Sequence, residues 1–371
     1  MRGLICCLGF FMIGTLGAQT LGERWRSLIA DTVALDTHQV RPDYFILVPV
    51  LRYLPETRWS LVLAGNYIFR PRKSTPGTRP SNVRLSASIT QNHQYIFRPH
   101  FEIFTPDNRW FLKGGVTWTR FPELYYGVGN HQPLEQEEMY SFDLFRLYGR
   151  VMKRHGKNLY WGGHWTLESM YRMRYPEASL LFKEPVTGNT GGLASGPGAI
   201  AIWDNRKNIY FPANGVYAEF QFSIYNKLTG SDFQFTSWTL DLRKYISLRS
   251  HKDVFAFQAY GQFNPGDPPF RMMGLLGGEN TGRGYYQGRF RDRHHMSTQL
   301  EYRMKVWKRV GVTVFAGMAT VFKDHPDRKP FPFWGIGFRG KLLRKEYLNV
   351  RLDIGFTPEG PNYYFTLDEA Y

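Results

Sequence analysis

Polar and apolar residues alternate with a period of two over most of the chain. Between Trp59 and Phe69, the positions Trp59, Leu61, Leu63, Tyr67 and Phe69 fall on one face with Gly65, and Ser60, Ala64 and Asn66 fall on the other. Val83, Leu85, Ala87 and Ile89 alternate with Asn82, Arg84, Ser86, Ser88 and Thr90. The same pattern holds for Tyr95, Phe97, Phe101 and Ile103 against Gln94, Arg98, His100 and Glu102. It returns in Val216–Ile224, and again where Leu300, Tyr302, Met304 and Val306 interleave with Gln299, Glu301, Arg303 and Lys305. Strict alternation is the mark of a strand with one apolar and one polar face.

A soluble sandwich alternates too, so run length decides between the two. These runs are about ten residues, the length that crosses a bilayer at a tilt, whereas globular strands average about five to six. Rings gather at the run ends, as with Trp59, Tyr67 and Phe69, Trp110 and Trp118, and Trp161 and Trp165. Aromatic girdles of this kind border the apolar band of an outer-membrane barrel. About sixteen runs can be placed, an even number as bacterial barrels require. They begin near Tyr44, Trp59, Asn82, Gln94, Trp110, Tyr140, Tyr160, Ala199, Gly215, Phe233, Val254, Ser297, Val312, Phe333, Leu348 and Asn362. The pattern predicts an all-β fold, a transmembrane antiparallel β-barrel of about 16 strands over residues 43–371. Two connections are long, a glycine-rich one over 176–198 and another from Pro265 to His294. Long patternless connections tend to be functional, and in these barrels they lie outside the cell.

The first 19 residues read differently. Arg2, the apolar stretch Leu4–Leu16 and the small residues Gly17 and Ala18 form a secretory signal peptide. The short segment 20–42 that follows is too small for a domain. Both cysteines, Cys6 and Cys7, lie in the leader, so disulfide and thiolate chemistry are excluded for the mature chain. The formal net charge is +16, with Lys and Arg spread along the chain. For an exported protein this balance points away from nucleic acid. It points to a basic pore lining or to a surface facing outer-membrane lipid and lipopolysaccharide.

Three ordered stretches carry a resemblance. MMGLLGGENTGRGYYQGRFRDRHHMSTQLEYR resembles the sixth extracellular loop of the bacterial surface antigen family, the barrel superfamily of the BamA and TamA assembly factors and the two-partner secretion transporters. Its tip motif is matched by Arg283, Gly284 and Tyr285, between the eleventh and twelfth runs. AIAIWDNRKNIYFPANGVYAEF resembles the mid-barrel stretch, with Asp204 and Arg206, then Phe211 and Pro212, then Gly215. NVRLDIGFTPEGPNYYFTLDEAY resembles the closing hairpin and terminal targeting strand, where Tyr363, Phe365, Leu367 and Tyr371 alternate and Glu369 interrupts. The resemblance implies that the loop between strands eleven and twelve folds inward. It also implies a non-enzymatic, monomeric barrel of the Gram-negative outer membrane, acting in protein assembly or translocation.

Two departures qualify that transfer. The relatives carry periplasmic POTRA domains before the barrel, and the segment ahead of residue 43 is too short for one. A periplasmic or lipoprotein partner is therefore expected to replace them. The relatives also often pair the loop arginine with an aspartate two strands on, where Gly317 stands here. A buried unpaired charge is costly, so an inward Arg283 needs another acid, and Asp241, Glu301 and Asp353 are the candidates in the lumen phase.

Other chemistry is weakly marked. His294, His295 and Ser297 suggest a nucleophile with its base, without an acid at a recognisable spacing. His93 and His100 with Glu102 offer metal-ligating types, but solvated lumen residues are the default, so no metal and no cofactor is expected. Asp204 and Arg206 read as a structural ion pair. Rival functions are a passive channel for anionic solutes, a lipolytic enzyme, and a surface interaction protein.

Overall fold

The computed structural model describes residues 44–366, apart from 55–57, 76, 92–93, 184–185, 207–211, 249–252, 308–309, 324–328 and 342–348. The signal peptide, the segment 20–42, His93, Phe211, Leu367, Glu369 and Tyr371 lie outside the described residues.

Among the described residues sixteen strands form one sheet in chain order, each antiparallel to the next. They are β1 (Tyr44–Leu54), β2 (Arg58–Phe69), β3 (Ser81–Thr90), β4 (Tyr95–Phe104), β5 (Trp110–Tyr125), β6 (Glu138–His155), β7 (Leu159–Arg174) and β8 (Gly192–Asp204). After these come β9 (Gly215–Tyr225), β10 (Phe235–Leu248), β11 (Asp253–Phe263), β14 (His294–Lys305), β15 (Val310–Phe322), β16 (Phe331–Lys341), β17 (Asn349–Thr357) and β18 (Gly360–Thr366). The short strands β12 (Gly274–Leu276) and β13 (Phe290–Asp292) make a separate hairpin inside the 264–293 connection, loop six. Among the described residues no helix is long and apolar enough to cross a membrane.

The faces are inverted relative to a soluble protein. Leu61 is 59% exposed and Ile336 52%, while Arg283 and Glu301 are fully buried. Apolar side chains outside and polar ones inside is the arrangement of a barrel in lipid.

Strand starts follow the alternation closely, with one correction. The run placed at Ala199 begins at Gly192, inside the stretch read as a glycine-rich loop. Glycine carries no polarity signal, and here it makes room. A Cβ on Gly196 would lie 2.3 Å from the Tyr225 ring, and one on Gly198 would lie 1.8 Å from the Phe222 carbonyl oxygen. The strand can pack beside β9 because these positions have no side chain.

Candidate functional site in the barrel lumen

Loop six starts from a polar root. Asn264 donates its side-chain amide to the carbonyls of Met272 (3.1 Å) and Arg293 (2.9 Å), tying the two ends of the loop together. The β12–β13 hairpin, paired from Gly274↔Asp292 to Leu276↔Phe290, then carries the chain to its tip. Gly284 at the tip has φ of +115°, a left-handed conformation that glycine adopts without strain.

The tip residue Arg283 reaches the inner wall. Its guanidinium lies 2.7 Å from the Glu301 carboxylate on β14 and 2.8 Å from Asp353 on β17. It also donates to Gln299 Oε1 (3.2 Å) and stacks over the Phe315 ring at 3.5 Å from the centroid. Glu301 is shared with Arg303 (2.6 Å), and Asp353 with Arg339 (2.5 Å) and Arg351 (3.5 Å). Arg351 turns further to Glu279 of the loop (3.3 Å). Four guanidiniums thus surround two fully buried carboxylates, an arrangement in which losing an acid costs more than losing a base.

Of the three acids expected to meet Arg283, Glu301 and Asp353 are in contact with it. Asp241 instead holds Arg243 (2.5 Å) and accepts from Gln258 (3.0 Å). Gln258 in turn accepts from Gln299 (2.7 Å), so Asp241 joins the cluster through two amides.

The backbone of the tip is gripped by the last strand. Gly284 N–H donates to the Tyr364 hydroxyl (2.8 Å), which donates to the Tyr285 carbonyl (3.2 Å), and Asn362 donates to the Gly284 carbonyl (2.8 Å). Tyr363 and Phe365, the expected targeting residues, are exposed on the opposite, outward face. Tyr285 is buried with Leu276, Phe290, Phe331 and Phe333 and donates to the Pro332 carbonyl (3.2 Å). Burial pushes its phenol up to about 12, so it stays a neutral donor.

The sequence did not disclose Asn362, Tyr364, Gln299 or Arg339 as partners. A signal existed for Arg339: in FPFWGIGFRG small residues occupy alternate inward positions, the mark of a close approach. A Cβ on Gly337 would lie 2.1 Å from an Asp353 oxygen, and one on Gly335 2.3 Å from the Phe315 ring.

Loop six also spans to the far wall. Arg271 pairs with Glu123 of β5 and touches the Tyr140 hydroxyl of β6. Leu124 N–H donates to the Tyr286 hydroxyl (3.1 Å), and Gly129 N–H to the Arg291 carbonyl (2.7 Å). Arg289 donates to the Gln132 carbonyl (2.9 Å) and pairs with Glu359 (2.7 Å). The loop therefore bridges β5–β6 to β14–β18 across the lumen.

The remaining candidates are placed as follows. His294 accepts from Asn264 N–H (3.1 Å), and His295 faces the Tyr260 ring at 5.6 Å. Glu102 is bound by Lys113 (2.7 Å), and no group of metal-ligating residues occurs among the described residues. Asp204 pairs with Arg206 (2.9 Å) and with Arg79 (2.8 Å) from the β2–β3 connection.

The Omp85 superfamily domain matches residues 79–337. No curated protein sequence matches the chain. Among solved structures, BamA from Haemophilus ducreyi lacking POTRA domains 1–3 is similar, with TM-score 0.55, 14% identity, 88% of this chain and 69% of that one covered. CdiB from Escherichia coli gives TM-score 0.62 and 11% identity, covering 88% of this chain and 62% of its own. CdiB from Acinetobacter baumannii gives 0.57 and 10%, covering 88% and 59%. The chain thus spans about three fifths of each CdiB, and at these identities the likeness is one of fold.

Proposed function

This chain belongs to the Omp85 superfamily and is an outer-membrane β-barrel, and from that premise we propose that it acts, without enzymatic chemistry, in the assembly or translocation of outer-membrane proteins. A periplasmic or lipoprotein partner supplies the client-binding surface. Loop six is the latch of this device, held by Arg283 in the lumen and released when the barrel works. Tyr363 and Phe365 on β18 serve the barrel's own insertion.

The observation that carries the reading is the tip of loop six. Its charge is buried between Glu301 and Asp353, and its backbone is gripped by Asn362 and Tyr364. So much specific bonding at one loop favours a held and releasable element over a surface loop. The contacts from loop six to β5–β6 weigh against an open anion channel in this state.

The test is a pull-down of the tagged, full-length protein from its native envelope, with mass spectrometry of what accompanies it and of the envelope after depletion. A stoichiometric periplasmic or lipoprotein partner and loss of outer-membrane proteins on depletion are expected. A solitary barrel whose depletion leaves the membrane proteome intact overturns the reading and favours the channel.

A further inference from the structure

The basic excess is unevenly distributed along the barrel axis. At the end opposite loop six, the β2–β3 connection contains Arg70, Arg72, Lys73 and Arg79 and no acid of its own, with Arg79 paired to Asp204, and the β6–β7 hairpin contains Lys153, Arg154 and Lys157 and no acid of its own. At the loop-six end, the β5–β6 connection holds Glu135 and Glu137 with no lysine or arginine, and the β17–β18 turn holds Glu359. Four arginines of loop six are matched by acids, Arg271 by Glu123, Arg283 by Glu301 and Asp353, Arg289 by Glu359 and Arg293 by Asp267. Beside the expected basic lumen or lipopolysaccharide-facing surface, the turns thus gather basic residues at the far end. Long loops mark the extracellular side of such barrels and short turns the periplasmic side, so this end is periplasmic.

The lipid-facing wall at that end is built in a particular way. Lys153 on β6 is paired with Trp110 on β5 and with Trp161 on β7, so the lysine lies between two tryptophans on one row. Its ammonium is 5.9 Å from the Trp110 ring centroid. His155, further along β6, lies 5.0 Å from the Trp161 ring. Trp203 on β8 is paired with Leu159 in the next row. All three indoles are exposed on the apolar outer face. Arg109 and Lys157 are exposed in the adjoining turns. The nearby acid, Asp107, accepts a hydrogen bond from the Thr75 hydroxyl (2.8 Å).

Indole rings settle where hydrocarbon meets headgroups. A lysine held between them sits at the depth of the phosphates, and clustered bases at a membrane surface attract anionic lipid. We propose that Trp110, Lys153, His155, Trp161 and Trp203, with Arg109 and Lys157, form a binding site for the phosphate of an anionic phospholipid in the periplasmic leaflet. The indoles flank the acyl–glycerol region, and Lys153 takes the phosphate. Arg109 and Lys157 supply the surplus positive charge that favours a net-negative lipid over a zwitterionic one. Lipopolysaccharide, in the other leaflet, meets the end where the acids lie.

The test uses the full-length protein in nanodiscs of phosphatidylethanolamine with and without phosphatidylglycerol. Lipid retained after transfer to detergent is read by native mass spectrometry. The protein is expected to retain phosphatidylglycerol in preference, and Lys153→Gln and Lys157→Gln each to lower that retention about fivefold. Lys227→Gln, an exposed position in the β9–β10 loop at the other end, leaves it unchanged. If the variants do not insert, the wild-type protein is measured at rising salt, where loss of phosphatidylglycerol alone is expected. Equal retention of both lipids, variants indistinguishable from wild type, or salt-insensitive retention overturns the proposal. So does an acidic protein that co-purifies through Lys157 without any lipid preference.

Discussion

Gly317 on β15 and Phe333 on β16 are so close that a Cβ on Gly317 would lie 2.4 Å from the Phe333 ring. This contact leaves no room for a larger side chain at the position where the resemblance led us to look for an aspartate. The space is filled by a ring, and the Thr298 carbonyl oxygen is 2.6 Å from the same point. The anionic work falls to Glu301 and Asp353 instead. Gly317→Asp is expected to lower stability by about 2–3 kcal/mol, read as the urea midpoint in micelles. Gly317→Asp with Phe333→Ala recovers part of that loss. A single variant as stable as wild type contradicts the packing argument.

Acids and bases of the latch differ in what their loss leaves behind. Asp353→Asn removes one of the two carboxylates shared by Arg283 and Arg339 and leaves Arg351 with Glu279, and Glu301→Gln removes the carboxylate 2.6 Å from Arg303. Uncompensated buried charge costs about 3–5 kcal/mol. Arg283→Ala leaves both carboxylates facing other guanidiniums and is expected to cost less, while freeing the loop. Equal unfolding midpoints for Arg283→Ala and Asp353→Asn would sink this ranking.

The period-two pattern is local, so the strands and the place of loop six were legible before any geometry was known. Where the strand is glycine, as from Gly192 to Gly198, polarity carries no information, and only Tyr225 and Phe222 on β9 explain it. Arg283 was legible through its motif and its charge, which demanded an acid. Its neighbours were harder to see, because Tyr364 and Asn362 are 80 and 78 residues away from Gly284. No local pattern encodes a contact at that separation. The uneven placement of charge also needed the topology, because it shows only once each turn is assigned to an end.

The fit of the loop tip can be tested without touching a charge. A Cβ on Gly355 would lie 2.6 Å from both Arg283 C and Gly284 N, which are backbone atoms that cannot swing aside. Gly355→Ala is therefore expected to lift the tip and expose Arg283 and Arg289 to trypsin, while the barrel remains resistant to unfolding in cold detergent. Protection equal to wild type would show that the tip is not seated against β17.

The last strand presents two faces, and substitutions can separate them. Inward, the Tyr364 hydroxyl accepts from Gly284 and donates to Tyr285. Tyr364→Phe leaves a buried N–H and a buried carbonyl without that partner, a loss of about 2 kcal/mol. Outward, Phe365 and Tyr363 are exposed toward lipid and take no part in the grip. Tyr364→Phe is expected to insert at the normal rate but to lose protease protection of loop six. Phe365→Ser is expected to insert slowly, with loop six fully protected once folded. Pulse-chase assembly followed by trypsin reads both quantities in one experiment. If Phe365→Ser also frees the loop, the two faces are not independent, and the clamp belongs to the strand as a whole rather than to Tyr364.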